Sequence, residues 1–138
     1  MTLQIFQEAS TIGGIVSEKT DLLQDVFRLF GRVDVRKMFG GHGIFRDGLM
    51  FGLLYHDLLY LKADAENVSP FEEQDLPQFE YLRQGQVTKL SYYLAPDPVM
   101  DDCVEAAIWA RRSYEAALRG HVTTMARKRR TKRELGKS

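Results

Sequence analysis

The chain has 138 residues, 44% apolar and 28% charged, which suits one globular domain whose core needs no staples. Its one cysteine, Cys103, excludes an internal disulfide, and no apolar run nears the roughly 18 residues of a bilayer-spanning helix. Formal charge is +0 overall, yet residues 1 to 118 hold 11 Lys/Arg against 18 Asp/Glu and residues 119 to 138 hold 8 against 1.

Residues 1 to 16 lack periodicity and read as an N-terminal extension. They carry no basic leader, so a secretory signal is not expected and the cytoplasm is the expected location. Thr20 is suited to cap a helix whose apolar positions are Leu22, Leu23, Val26, Leu29 and Phe30, with Gly31 as its stop. Val33 and Val35 alternate with Asp34 and Arg36 as a half-buried strand does, and the alternation slips at Lys37, Met38 and Phe39, where a bulge is expected. Asp47-Gly48 is a strong two-residue hairpin signal between strands Ile44–Arg46 and Leu49–Tyr55, and His56-Asp57 sets off a further strand, Leu58–Lys62. The run LMFGLLY is apolar on both faces, as in a central strand covered on two sides, and Gly52 within it suggests close approach of a helix.

Ser69-Pro70-Phe71-Glu72 has the form of a capping box with Ser69 as cap, and Pro77 keeps that helix short. Phe79–Arg83 and Val87–Leu94 read as a second hairpin about Gln84-Gly85-Gln86. The last helix is capped by Asp101 or Asp102 and stopped by Gly120, with Val104, Ala107, Ile108, Tyr114, Ala117 and Leu118 as its apolar stripe. Beyond it, residues 120 to 138 form a basic tail, expected to be disordered. Helices segregated from hairpin-joined strands give an α+β class: a mainly antiparallel sheet of about five or six strands with an N-terminal helix, a short middle helix and a long C-terminal helix.

None of the motifs makes an active site. Gly40-Gly41-His42-Gly43 has a phosphate loop's glycines but neither a following helix nor a Gly-Lys-Ser/Thr, so a structural turn is favoured. His42, His56 and His121 stand at no metal-ligand spacing with one another or with Cys103, and no metal or cofactor is expected. Cys103 lacks a partner histidine and reads as a small buried residue. Asp101, Asp102 and Glu105 suit the positive end of a helix, as Glu72 and Glu73 do. Tyr92, Tyr93 and Trp109 are better placed for packing than for base stacking, Trp109 lying on a small-residue flank with Ala106, Ala110 and Ser113. The one segment with a functional signature is Arg127, Lys128, Arg129, Arg130, Lys132 and Arg133, interrupted only by Thr131, which is suited to neutralise several phosphates of a nucleic acid.

Several segments agree in order with a known family. Val35-Arg36-Lys37-Met38-Phe39-Gly40-Gly41, Gly43-Ile44-Phe45, Asp47-Gly48, Met50-Phe51-Gly52-Leu53 and Leu59-Tyr60-Leu61-Lys62 are followed by Leu90-Ser91-Tyr92-Tyr93, Pro96 and a helix carrying Trp109-Ala110. Over residues 17 to 119 this resembles the N-terminal domain of the TfoX/Sxy family of competence regulators. The resemblance implies a secretion-chaperone-like topology and a non-enzymatic regulatory role in the bacterial cytoplasm. It also implies work with the cyclic-AMP receptor protein at promoters, and a homodimer. Full-length competence regulators carry a second, C-terminal helical domain, which this chain is expected to lack. The resemblance brings no catalytic residue with it. The expectation is a regulatory domain acting through protein partners such as the transcription machinery, with DNA contact by the tail. The alternative is an interaction or dimerisation module without nucleic-acid binding.

Overall fold

The computed structural model describes residues 14–38 and 40–135. In chain order the elements are α1 (Gly14–Val26), β1 (Asp34–Met38), β2 (Gly41–Arg46), β3 (Leu49–Tyr55), β4 (Leu58–Lys62), α2 (Ser69–Glu73), β5 (Gln78–Arg83), β6 (Gln86–Leu94), α3 (Pro98–Asp101) and α4 (Cys103–Leu135). The α+β expectation holds. The strands form one sheet in the order β1-β2-β3-β4-β6-β5, and every neighbouring pair is antiparallel. The expected extension over residues 1 to 16 lies, up to residue 13, outside the described residues.

Turn chemistry sets most of the sheet. Asp47 and Gly48 both take positive φ (49° and 80°), as a twist-matched two-residue hairpin requires, and His56 and Asp57 do the same at 50° and 61°. The second hairpin is tighter than the sequence suggests: Arg83 pairs with Gln86, leaving Gln84 and Gly85 alone in the turn at φ 52° and 76°. The bulge expected near Lys37–Phe39 is absent at Lys37 and Met38, Phe39 lying outside the described residues. Pairing of β1 with β2 is unbroken from Asp34↔Phe45 to Met38↔Gly41, and the slip lies in β2–β3, where Ile44↔Gly52 gives way to Phe45↔Met50. Phe51 is therefore unopposed. The extra residue sends Phe51 to the same face as Leu54, and sends Met50 to the other face with Leu53 and Tyr55. That is how LMFGLLY serves two cores. Gly52 makes room not for a helix but for Ile44 on β2, whose Cδ1 would lie 3.3 Å from an added Cβ.

The larger core lies between the sheet and the helices, around Leu23, Phe27, Phe51, Leu61, Phe71, Val99 and Trp109. Phe27 meets Phe51 edge-on at 5.4 Å, and Phe71 meets Trp109 at 5.0 Å. On the opposite face Leu53, Phe79 and Tyr92 form a second, smaller cluster. The adjacent tyrosines divide between the two, Tyr92 belonging to the smaller core and Tyr93 packing on the larger.

The helix boundaries depart from expectation in three places. Helix α1 runs from Gly14, so Thr20 lies within it, and the chain leaves it through a turn in which the Gly31 amide donates to the Phe27 carbonyl at 2.9 Å. Val68, not Ser69, is the N-cap of α2, with no side-chain cap. Its lead-in is held instead by Asp64 and Asn67: Asn67 Oδ1 accepts from the Asp64 amide, and Asp64 Oδ1 accepts from the amides of Glu66 and Asn67. Helix α4 does not stop at Gly120 but continues to Leu135. Its start is capped as expected, Asp102 Oδ1 accepting from the Val104 amide at 2.9 Å.

The buried face of α4 keeps Ala107, Tyr114 and Ala117 of the expected stripe and corrects the rest. Ala106, Trp109, Ala110, Ser113, Ala116 and Ala117 face the core, whereas Val104, Ile108 and Leu118 are exposed. Small residues let the helix axis come close to the sheet, and that proximity outweighs the larger side chains on the far side. Among the described residues, no helix is long and apolar enough to cross a membrane.

Candidate nucleic-acid interface

Helix α4 is tied to the body along its first half and projects beyond the sheet in its second. The last tie is Arg119. Its Nε donates to Asp64 Oδ2 at 2.7 Å and its Nη2 to Asp64 Oδ1 at 3.0 Å, and Glu66 Oε2 lies 2.7 Å from Nε. A fork of this kind fixes direction as well as charge, because the guanidinium plane must match the carboxylate plane. The hydrogen bonds from Arg119 hold the Asp64 carboxyl below its ordinary pKa, helped by the amides of Glu66 and Asn67. Buried Asn67 completes the anchor, donating to the carbonyls of Lys62 at 3.0 Å and Arg112 at 3.4 Å.

Past Arg119 every described side chain of the helix is exposed. At 100° per residue, Arg127, Lys128, Arg129, Arg130, Lys132 and Arg133 are spread around the whole circumference rather than along one side. The sixteen residues from Gly120 to Leu135 extend about 24 Å, so the end of the helix is a rod sleeved in positive charge. The helix's own negative end lies under Lys132 and Arg133, where cations are favourable. Thr123, Thr124 and Thr131 turn their hydroxyls back onto the carbonyls four residues earlier, so each satisfies itself within the helix.

Where the rod leaves the body, an open cleft of about 1040 Å³ forms between α4 and the Asp64–Glu66 loop, with Lys62, Ser91, Thr123 and Arg127 on its walls. Lys62 Nζ donates to Ser91 Oγ at 2.8 Å and lies 5.2 Å from the Tyr92 ring centre. Burial pushes the Lys62 ammonium below its ordinary pKa. In the cleft Arg119 is paired with Asp64 and Glu66, while Lys62 is held by the Ser91 hydroxyl.

The remaining candidates do not come together. Gly40-Gly41-His42-Gly43 is the tip of a hairpin and the first half of β2, with no helix behind it to hold an anion. Gly41 is required because a Cβ there would run into the Leu54 carbonyl of β3. His42 has its Nε2 buried without a partner among the described residues, and burial together with Lys19 and Lys37 lowers its pKa. His56 sits in a turn and His121 on the exposed helix. No group of three His, Cys, Asp or Glu among the described residues could hold a metal ion. Cys103, expected to be buried, is half-buried at the start of α4. The Arg119–Asp64 fork was beyond sequence reasoning: its members are 55 positions apart, and nothing in either neighbourhood marks the other.

A family model, the TfoX N-terminal domain, matches residues 25–117, from the end of α1 to the middle of α4. The chain belongs to that family. Within it, the DNA transformation protein TfoX1 of Aliivibrio fischeri (strain ATCC 700601 / ES114) is 32% identical over 63 residues, which are 46% of this chain and 30% of that protein. The aligned stretch thus spans less than a third of that relative. In this TfoX N-terminal domain the matched residues end just before Arg119, and the six cations of the helical end lie beyond them.

Proposed function

We propose that this TfoX N-terminal domain is a non-enzymatic, competence-related regulator that works through a protein partner and touches DNA with the end of α4. The supporting observation is the charge arrangement. An acidic body carries a helix whose last turns present six cations on all sides, Arg127 beside the cleft and the others beyond it, past the Arg119–Asp64 fork. Body and rod have opposite affinities for a polyanion, so phosphate would be met by the rod alone. Because the cations encircle the helix and follow no base-reading pattern, the contact is to backbone phosphate and independent of sequence. Sequence choice then belongs to the partner, for which the transcription machinery, and the cyclic-AMP receptor protein in particular, is the class that the family resemblance suggests.

The test is duplex-DNA affinity across a salt series, for the full chain and for a chain ending at Arg119. Neutralising about four to six phosphates gives log K a slope of roughly −4 to −5 against log salt. The shortened chain is expected to lose both the affinity and the slope. Equal binding by the two chains would remove the helical end from the function.

A further inference from the structure

One side of α4 carries a pattern that the core does not use; it takes in the cleft-wall residues Leu118 and Val122 and ends on Arg129, one of the six cations of the helical end. Val104, Ile108, Arg111, Glu115, Leu118, Val122, Met125 and Arg129 succeed one another at alternating intervals of four and three. That is the seam of a coiled coil, sustained over about three and a half heptads. Its five apolar members are 38% to 63% exposed, Leu118 and Val122 on the wall of the open cleft beside the Asp64–Glu66 loop. Arg111 and Glu115 are exposed as well, and neither has an ion-pair contact among the described residues, although the Glu115 charge acts on Arg119 one turn further on.

We infer that this seam is the interface of an antiparallel homodimer. Its order is self-complementary. With two copies of α4 antiparallel and crossing at the level of Ser113, Val104 meets Val122 of the partner subunit, and Ile108 meets Leu118 of the partner subunit. At the centre, Arg111 meets Glu115 of the partner subunit, and the two-fold repeats each contact. The register is also heptad-consistent, every a position facing a d position as antiparallel pairs require. A parallel pairing would set Arg111 against Arg111 and Glu115 against Glu115, so charge selects the antiparallel arrangement. Arg112, which flanks the crossing point, is drawn aside, its guanidinium 5.4 Å from the centre of the Trp109 ring.

Beyond the apolar contacts, Met125 and Arg129 pass the start of the other copy's helix. That start carries Asp101 and Asp102, so the basic end of one copy lies beside acidic groups of the other. The seam from Val104 to Met125 is about 32 Å long and one helix wide, which puts the contact at the small end of specific interfaces. A dissociation constant on the order of 1–100 µM fits that size. This inference does not depend on nucleic-acid contact, and its test is run without DNA.

The test is sedimentation equilibrium of the full chain, of Arg111→Glu, of Glu115→Arg, and of an equimolar mixture of the two variants. Circular dichroism controls for folding, which exposed charge reversals leave intact. The wild-type chain is expected to move from one to two chains in mass between about 1 and 500 µM. Each variant alone faces like charges and is expected to associate at least about tenfold more weakly. In the mixture, both central contacts again set a carboxylate of one variant against a guanidinium of the other. Association then returns, which no effect within a single chain can produce. A wild-type chain of single mass throughout would overturn the inference. So would variants that associate as the wild type does, or a mixture that stays apart.

Discussion

Arg119 on α4 and Asp64 after β4 meet through two parallel hydrogen bonds, Nε to Oδ2 at 2.7 Å and Nη2 to Oδ1 at 3.0 Å, at the level where the helix leaves the sheet. The pair is partly open to water, so its contribution is well short of that of a buried ion pair. Asp64→Asn is expected to cost about 1 kcal/mol at neutral pH, measured by urea denaturation. The pH dependence follows from the lowered carboxyl. In the unfolded chain Asp64 titrates near its ordinary 3.8, while in the folded chain it holds its charge to lower pH. Between those values the unfolded state takes up a proton that the folded state does not, and stability falls with pH. The gap between wild type and Asp64→Asn should therefore be full above about pH 4 and close as the pH drops through the folded value.

The glycines of β2 separate two kinds of crowding. A Cβ at Gly41 would meet the Leu54 carbonyl, which is backbone of the neighbouring strand, whereas one at Gly43 would meet the Met38 thioether and, at 2.9 Å, the edge of the Phe45 ring. Backbone cannot yield without breaking the β2–β3 ladder; a methionine can change rotamer. Gly41→Ala is expected to cost about 3 kcal/mol or to prevent folding, and Gly43→Ala about 1–2 kcal/mol. Fluorescence of the lone tryptophan, Trp109, buried against Phe71, reports both unfolding transitions.

Hairpins were legible because their turns impose conformations that few residues accept. Asp47-Gly48 fixes both neighbouring strands, and the expected limits of Leu49–Tyr55 and Leu58–Lys62 are those observed. The bulge at Phe51 was not legible, since a slip in alternation does not say which strand of a pair holds the extra residue. On α4 periodicity found the helix and half of its buried stripe, Ala107, Tyr114 and Ala117, but also counted residues that lie outside it. Val104, Ile108 and Leu118 have the spacing of a core stripe, and only the close approach of Ala106, Ala110 and Ser113 to the sheet shows that the small side is the buried one. The cations of the candidate site were legible as a charge run. Their arrangement around a helix was not, because composition carries no geometry, and the fork that aims them joins residues distant in sequence.

Tyr92 offers a spectroscopic check of the smaller core. Its hydroxyl donates to the Met50 carbonyl at 3.3 Å, and burial pushes its pKa up to about 12. An ultraviolet titration of the folded chain should show one phenol ionising near pH 12, absent from Tyr92→Phe. Burial and neighbouring Tyr55 also raise Tyr60, which remains in the variant and serves as the internal reference. Because the folded pKa is raised, Tyr92 contributes stability that is full below about pH 10 and is lost as the pH climbs toward its folded value. Tyr92→Phe should cost about 1 kcal/mol at pH 7, through the lost hydrogen bond.

Gly120 was expected to end α4, and the helix passes through it. Nothing lies within 4 Å of the position a Cβ would take, and the residue is not among the glycines of positive φ. The glycine therefore meets no steric or conformational demand, and it sits one residue past the Arg119 fork, at the root of the projecting rod. A glycine in a helix interior costs roughly 1 kcal/mol against alanine, and here that cost falls where packing no longer supports the helix. Gly120→Ala should raise the helical signal in circular dichroism and stabilise the exposed end by about 0.5–1 kcal/mol, with slower amide exchange from residue 121 onward. Gly120→Pro should do the opposite. It removes a backbone donor and clashes with the preceding turn, so helix beyond the fork is lost while the sheet and the Trp109 environment stay unchanged. In the DNA assay the two variants then separate charge from shape. If the rod must be straight to reach phosphate, Gly120→Ala binds at least as well as wild type and Gly120→Pro binds more weakly, although both keep all six cations.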